Sequence, residues 1–327
     1  MSPVLSKNKS SGLRKGGVSA GRLRTLRQAG EFGFIERVRK MLPKGAGVEL
    51  GIGDDAAVLK IGNKTVLFTT DMIIEDKHFR LGQASGFEIG WKALGVNLSD
   101  IAAMGGVPTH AVVALGAPGD LPLRFAHDIY RGIRAAARRF RVNIIGGDTN
   151  ASKKLILSIA LLGEANQGKV TRRSGAKLGD IIFVSGTLGG SYASKKHLRF
   201  TPRIKESQFL LRHFDVHAMM DISDGLASDI FRLTEASRVG ACLSTAAIPC
   251  TPGVHFGQAL TEGEDFELLF TLSPKEASKL ALVSGKKRGL ASFCPVGKIM
   301  PKSYGVRLVD ANGKGGPLED KGFDHFK

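Results

Sequence analysis

Six short segments of this 327-residue chain each set aspartate among glycine, serine, threonine or alanine, and a fold that uses them together must gather positions from Gly51 to Glu267. They are Gly51-Ile-Gly-Asp-Asp-Ala-Ala-Val58, Thr69-Thr-Asp71, Asn97-Leu-Ser-Asp100, Gly146-Gly-Asp-Thr149, Asp221-Ile-Ser-Asp-Gly225 and Gly263-Glu-Asp-Phe-Glu267. Small neighbours let backbone approach a ligand closely, and carboxylates bind hard cations through oxygen. Magnesium is usually held by one or two carboxylates plus substrate phosphates, so a site with several ions draws acids from several segments. A lone Gly-Asp is most often a turn residue or a helix N-cap. Six such segments point instead to magnesium ions holding a polyphosphate, and so to phosphoryl transfer.

Several of these aspartates follow apolar, strand-like runs: Val66-Leu-Phe68, Val142-Asn-Ile-Ile145 and Ala218-Met-Met220. The expectation is that strand ends present them from loops. No Gly-x-x-x-x-Gly-Lys-Ser/Thr loop occurs, and no Gly-x-Gly-x-x-Gly follows a strand into a helix, which excludes a P-loop or dinucleotide grip on the phosphates.

Periodicity divides the chain after a basic arm, residues 1–29. From 30 to 165, strand-like runs (Ala57–Ile61, Thr65–Phe68, His110–Ala114, Leu155–Ile159) alternate with helices expected over Gly86–Met104 and Arg124–Phe140. From 166 to 327, strands at Gly179–Ser185, Leu268–Leu272 and Pro295–Ile299 accompany helices at Gly225–Ala236 and after Pro274. This mixture predicts an α+β fold of two domains.

Cys242, Cys250 and Cys294 lack metal-ligand spacing, which predicts buried thiols in a reducing cytoplasm. No apolar run reaches membrane-spanning length. Of the net charge of +17, seven cations precede the first acid, Glu31, and removing them leaves +10. That remainder suits the attraction of anionic nucleotides. With one Trp, three Tyr and no recognisable nucleic-acid motif, a nucleic-acid partner is not expected. The arm reads as a disordered extension rather than a secretory signal. Lys195-Lys196 and Lys286-Lys-Arg288 read as solvated charges, Asp229 as a surface or helix-packing acid, and Trp91 as core.

From Gly30 onward the motifs occur in an order that resembles the thiamine-monophosphate kinases of the aminoimidazole-ribonucleotide-synthetase-like superfamily. The resemblance rests on Gly30-Glu-Phe-Gly-Phe-Ile35, the six segments above, Lys92-Ala-Leu-Gly-Val-Asn-Leu-Ser-Asp-Ile-Ala-Ala-Met-Gly105, Arg173-Ser-Gly-Ala-Lys177 and Lys321-Gly-Phe-Asp-His-Phe326. It implies magnesium ligation by Asp54, Thr69, Thr70, Asp71, Asp100, Asp148, Asp221 and Asp224. It implies ATP contacts from Tyr130, Gly147, Asp148, Arg173 and Ser223, and acceptor contacts from His78, Glu264 and Phe323. It further implies a homodimer formed through N-terminal sheets, with the C-terminal domain closing over the nucleotide.

Three departures fall near the acceptor end. Glu75-Asp-Lys-His-Phe79 stands where the family reads Glu-Gly-Val-His-Phe, Glu262 stands where a glycine is usual, and the run from Gly190 to Arg199 is short enough to trim the helix expected there. The implied reaction is transfer of the γ-phosphoryl group of ATP to thiamine monophosphate, without a general base because a phosphate monoester is mostly a dianion at neutral pH. Alternatives are another ATP-using superfamily member or a nucleotide-binding regulator with a nucleic-acid arm. No cysteine precedes Cys242, unlike selenophosphate synthetase, and the chain does not end in cysteine, unlike the hydrogenase-maturation dehydratase.

Overall fold

The computed structural model describes residues 25–165, 168–283, 289–320 and 326. Most of the arm, Lys286-Lys-Arg288 and Phe323 therefore lie outside the described residues. The arm's last residues are helical. Helix α1 (Leu26–Met41) starts on Thr25, whose hydroxyl accepts from Gln28 N, and kinks at Gly30, where φ is 65°.

The first layer is a six-stranded sheet in the order β1-β2-β3-β6-β4-β5. Its strands are β1 (Val48–Leu50), β2 (Ala57–Ile61), β3 (Lys64–Ile74), β4 (Gly106–Ala117), β5 (Asn143–Ala151) and β6 (Ile156–Ala165). Helices α2 (Gly86–Ala103) and α3 (Leu123–Phe140) are joined to it by one core that includes Leu67, Ile89, Leu94, Val113, Ile133 and Ile159. Ser85 and Glu88 form a capping box at the start of α2. The two helices touch backbone to backbone through glycine: a Cβ on Gly90 would stand 1.9 Å from Ile129 O, and one on Gly132 2.0 Å from Phe87 O. The opposite face of this sheet leaves Phe68, Met72, Val112 and Ile145 exposed.

The second sheet has seven strands, ordered β13-β12-β9-β11-β7-β10-β8. They are β7 (Ile181–Ser185), β8 (Val216–Ile222), β9 (Gly240–Ser244), β10 (Glu267–Leu272), β11 (Phe293–Met300), β12 (Val306–Val309) and β13 (Gly315–Pro317). Helix α6 (Leu226–Ser237) packs in one core on this sheet with α7 (Phe256–Thr261). Helices α5 (Ile204–His213) and α8 (Pro274–Val283) pack in a second core on it. Cover on both faces explains why every residue of β10 is buried, with Leu268, Leu269, Phe270 and Leu272 split between the two cores. The segment expected to be trimmed holds only the four-residue α4 (Lys196–Arg199). The fold is thus α+β with two sheets, as expected.

One expectation needs correcting. The strands are longer than the apolar runs suggested, so Thr69, Thr70 and Asp71 lie within β3, Asp148 within β5 and Asp221 within β8, rather than in loops past strand ends. Pairing with β6 carries β3 on to Ile74, because ladder hydrogen bonds do not require apolar side chains.

Candidate active site

Three carboxylates meet where the layers adjoin. Single oxygens of Asp55, Asp100 and Asp221 lie within 4.8 Å of one another. They come from the loop before β2, the last turns of α2 and the end of β8. Thr69 donates to Asp100 Oδ2 at 2.6 Å, Ser99 donates to Asp221 Oδ2 at 2.6 Å, and Asn97 Oδ1 accepts from Asp71 N at 3.0 Å. Arg173 pairs with Asp55 through Nε at 3.0 Å, while its backbone N–H donates to the Asp54 carboxylate at 3.2 Å. Asp55 Oδ2 is buried with no hydrogen-bond partner among the described residues.

Clustered acids resist ionisation. Burial, and next the charge of Asp55, push both Asp54 and Asp221 up to about 7. Burial, followed by Asp71, Asp221 and Asp55, holds Asp100 well above the carboxylate range. Converging buried oxygens, with one lacking any donor, form a donor set that fits a hard divalent cation.

Asp224 lies beside this cluster and is engaged by Arg232 at 3.1 Å. Asp229, expected at a surface or against a helix, is fully buried; it accepts from Asp224 N and pairs with Arg232 at 3.0 Å. The Arg232 guanidinium lies 3.9 Å from the centre of the Phe32 ring, which joins the Gly30–Ile35 segment to α6.

Not every expected ligand converges. Thr69 is buried and Asp71 half-buried, whereas Thr70 is exposed on the other face of β3, as strand alternation requires. Gly147 and Asp148 lie on the exposed β5, and Asp148 accepts from Asn150 at 2.6 Å. The ladder row Asp71↔Ile159↔Val113↔Gly147 places β5 three strands from β3, about 14 Å across the sheet. Tyr130 is exposed on α3.

A second polar cluster lies further along α2. Lys92 is fully buried and donates to both oxygens of Glu264, at 2.7 and 2.6 Å, and to His78 O at 2.7 Å. Glu264 and Phe266 hold positive φ, 64° and 50°, a strained backbone of the kind found at ligand-binding segments. Glu264 N donates to Ser223 O and Phe266 N to Ile222 O, tying this segment to the end of β8, which carries Asp221, and to the turn after it, which carries Asp224. Gly263 permits the contact, since a Cβ there would stand 2.6 Å from Ser223 O. Glu262, a departure from the family pattern, accepts from the N–H groups of Gly190 and Tyr192, each at 3.0 Å. It therefore clamps the loop beside Glu264, and Ser191 adds a bond to Glu264 O at 2.6 Å.

Sequence reasoning did not assign Lys92, Asn97, Ser99 or Glu262 to the site. Lys92 and Ser99 stand seven residues apart, about two helical turns, so they share a face of α2; that spacing was a readable signal. Lys196, expected to be solvated, is drawn toward Asp265 at 3.4 Å and Glu267 at 3.0 Å because both acids are buried.

Asp265 gives a pH test away from the Asp55, Asp100 and Asp221 cluster. Burial, partly offset by Lys196 and the Gly189 N–H, pushes it up to about 6. An unfolded aspartate titrates near pH ~4, so between those values the folded chain holds the proton more tightly and stability falls as pH rises. Asp265→Asn lacks this slope. Urea unfolding should show the variant gaining on the parent by up to about 3 kcal/mol from pH ~4 to above ~6, and then no further. A constant difference across that range would show that Asp265 is not protonated when folded.

Sequence comparison agrees with this geometry. Residues 53–165 match the AIR synthase related protein N-terminal domain, and residues 169–309 the corresponding C-terminal domain. A thiamine-monophosphate kinase of Rhodopirellula baltica is 37% identical over 76% of this chain and 84% of its own length. The chain belongs to the thiamine-monophosphate kinase family. The family member of Bacillus subtilis is 33% identical over 91% of this chain and 99% of its own. Among solved structures, AaThiL complexed with AMPPCP and TMP superposes with a TM-score of 0.80 at 30% identity, covering 93% of this chain and 100% of that one. Hydrogenase maturation protein HypE of Escherichia coli, at 22% identity and a TM-score of 0.67 over 78% of this chain and 85% of its own, shares the fold.

Proposed function

We propose that this chain transfers the γ-phosphoryl group of ATP to thiamine monophosphate, giving thiamine diphosphate and ADP. The observation that carries the reading is the Asp55, Asp100 and Asp221 cluster, tied through α2, which carries both Asp100 and Lys92, to the Lys92–Glu264 pair, in a member of this kinase family. A related structure, AaThiL, binds AMPPCP and TMP.

In this reading Asp55, Asp100 and Asp221, with Asp54, Thr69, Asp71 and Asp224 around them, hold magnesium. Such ions supply positive charge between two phosphate-bearing reactants. Arg173, beside Asp55, adds fixed positive charge, and Ser223 follows directly on β8, between Asp221 and Asp224. Glu264 and His78, linked through Lys92, mark the acceptor end, to which Phe323 is also assigned. The acceptor arrives as a phosphate dianion, so the chain's task is alignment and relief of repulsion rather than proton removal.

The exposed apolar face of the first sheet supports a homodimer through that face. Gly147 and Asp148 lie about three strands from Asp71, so a second copy is the source that brings them to a nucleotide. Domains of 30–165 and 166–327, with a separate basic arm, follow the two sheets. Among the described residues no helix is long and apolar enough to cross a membrane, and the three cysteines are free, which supports a cytoplasmic site of action.

Purified protein incubated with ATP and magnesium should convert thiamine monophosphate to the diphosphate, read by mass, and should leave free thiamine unchanged. Efficient use of thiamine, or no use of the monophosphate under saturating ATP, overturns the assignment.

A further inference from the structure

A groove runs along the outer surface between α2 and α3, away from the carboxylate cluster. One part, about 810 Å³, is lined by Phe87, Arg131, Arg134, Ala135, Arg138 and Arg139. It continues past Phe87 and Arg139 into a recess of about 440 Å³ that reaches Trp91 and Arg199. Such volumes are those of small-molecule clefts, about 300–1,000 Å³.

The charge of the groove is one-sided. Arg131 is paired with Asp128 at 2.9 Å, and Arg139 lies over the Trp91 ring at 5.7 Å. Arg134 and Arg138 have no ion pair among the described residues, and both are exposed. Among the described residues Glu88 is the one acid lining either part, and it is held by Arg199 at 2.6 Å and by Ser85. Arginines at 131, 134 and 138 share a face of α3, and like charges at such spacings destabilise a helix. Favourable interaction with the helix C-terminus accounts for Arg138 and Arg139, but not for Arg131 and Arg134, which lie further back.

Residue choice is specific as well. Every Lys or Arg in α3 is arginine, the side chain whose planar fork grips phosphate at two points and stacks on rings. Phe87, at the mouth, offers a partly exposed ring for a flat group. Along α2, Asp100 lies about 20 Å from Phe87 and about 14 Å from Trp91, so the groove is separate from the cluster.

We propose that this groove is a second anion site, binding a polyphosphate of nucleotide size without a metal ion. Metal dependence separates it from the transfer site, where Asp55, Asp100 and Asp221 converge and a cation is needed to offset them before such an anion binds.

The test is calorimetric titration of the full chain with sodium tripolyphosphate, and separately with ATP, in EDTA at low ionic strength. Saturable binding at one ligand per chain is expected, weakened at least tenfold in Arg134→Gln/Arg138→Gln, whose glutamines are sound helix formers. Magnesium-dependent turnover of that variant should match the parent. If the double variant melts lower, Arg138→Gln alone is used. Tighter binding of ATP than of tripolyphosphate, lost in Phe87→Ala, identifies a nucleotide; equal binding identifies a bare polyphosphate. Absence of saturation, unchanged affinity in the arginine variant, a requirement for magnesium, loss of turnover, or much tighter binding of a single-stranded oligonucleotide would each overturn the proposal.

Discussion

Asp100→Asn is expected to lower turnover about a thousandfold or more while leaving the metal-free protein as stable as the parent, or more so. The two effects have one cause. Asp100 sits in buried surroundings beside the charges of Asp71, Asp221 and Asp55, which is why its carboxyl is held well above the ordinary range. Removing its charge relieves repulsion in the empty cluster, and the asparagine oxygen still accepts from Thr69. The same change removes a ligand charge when a cation and nucleotide are bound. Thermal melting in EDTA, set beside turnover over a magnesium series, checks both signs. Near-parent activity at limiting magnesium would show that Asp100 is not a ligand.

The largest expected effect on stability comes from Lys92→Met. Methionine fits the volume but leaves Glu264 as a buried acid without its cation, a change that costs about 3–5 kcal/mol in proteins. For a chain of this size the melting temperature should fall by on the order of 10 °C. Adding Glu264→Gln should restore much of the loss, because what destabilises is the unpaired charge. A small effect of Lys92→Met alone would mean that water or another cation reaches Glu264. Recovery of stability without recovery of turnover in the double variant would assign Glu264 a role in the acceptor site beyond folding.

Much of this fold could be read from the chain. Helix α2 was legible to within a residue because its apolar face and the glycines after it agree. β2 was read to the residue. The reach of β3 was not, since Thr69-Thr-Asp71 resembles a loop by composition and is a strand by virtue of its β6 partner. Within the site, the motif order located the aspartates, but choosing between neighbours needed the fold. The first motif offers both Asp54 and Asp55; the Asp55 carboxylate meets Asp100 and Asp221, while Asp54 accepts from Arg173 N. The partner of Lys92 lies 172 residues away, and no local pattern shows it.

The bonds that join the two layers through α2 follow one line. Lys92 holds Glu264, Ser99 holds Asp221, Ala102 O accepts from Ser207, and Ala103 O accepts from Thr171. In mechanical terms these are pins along a single shaft, and a body pinned along a shaft keeps one easy freedom, which is to turn about it. A turn about the α2 axis is therefore the movement of the second sheet against the first that these four bonds resist least. Asp55 is fastened off that line, by Arg173. A few degrees of turn would alter its distance to Asp221 while the pins stay intact, so the spacing of the carboxylates and the angle between the layers form one coordinate.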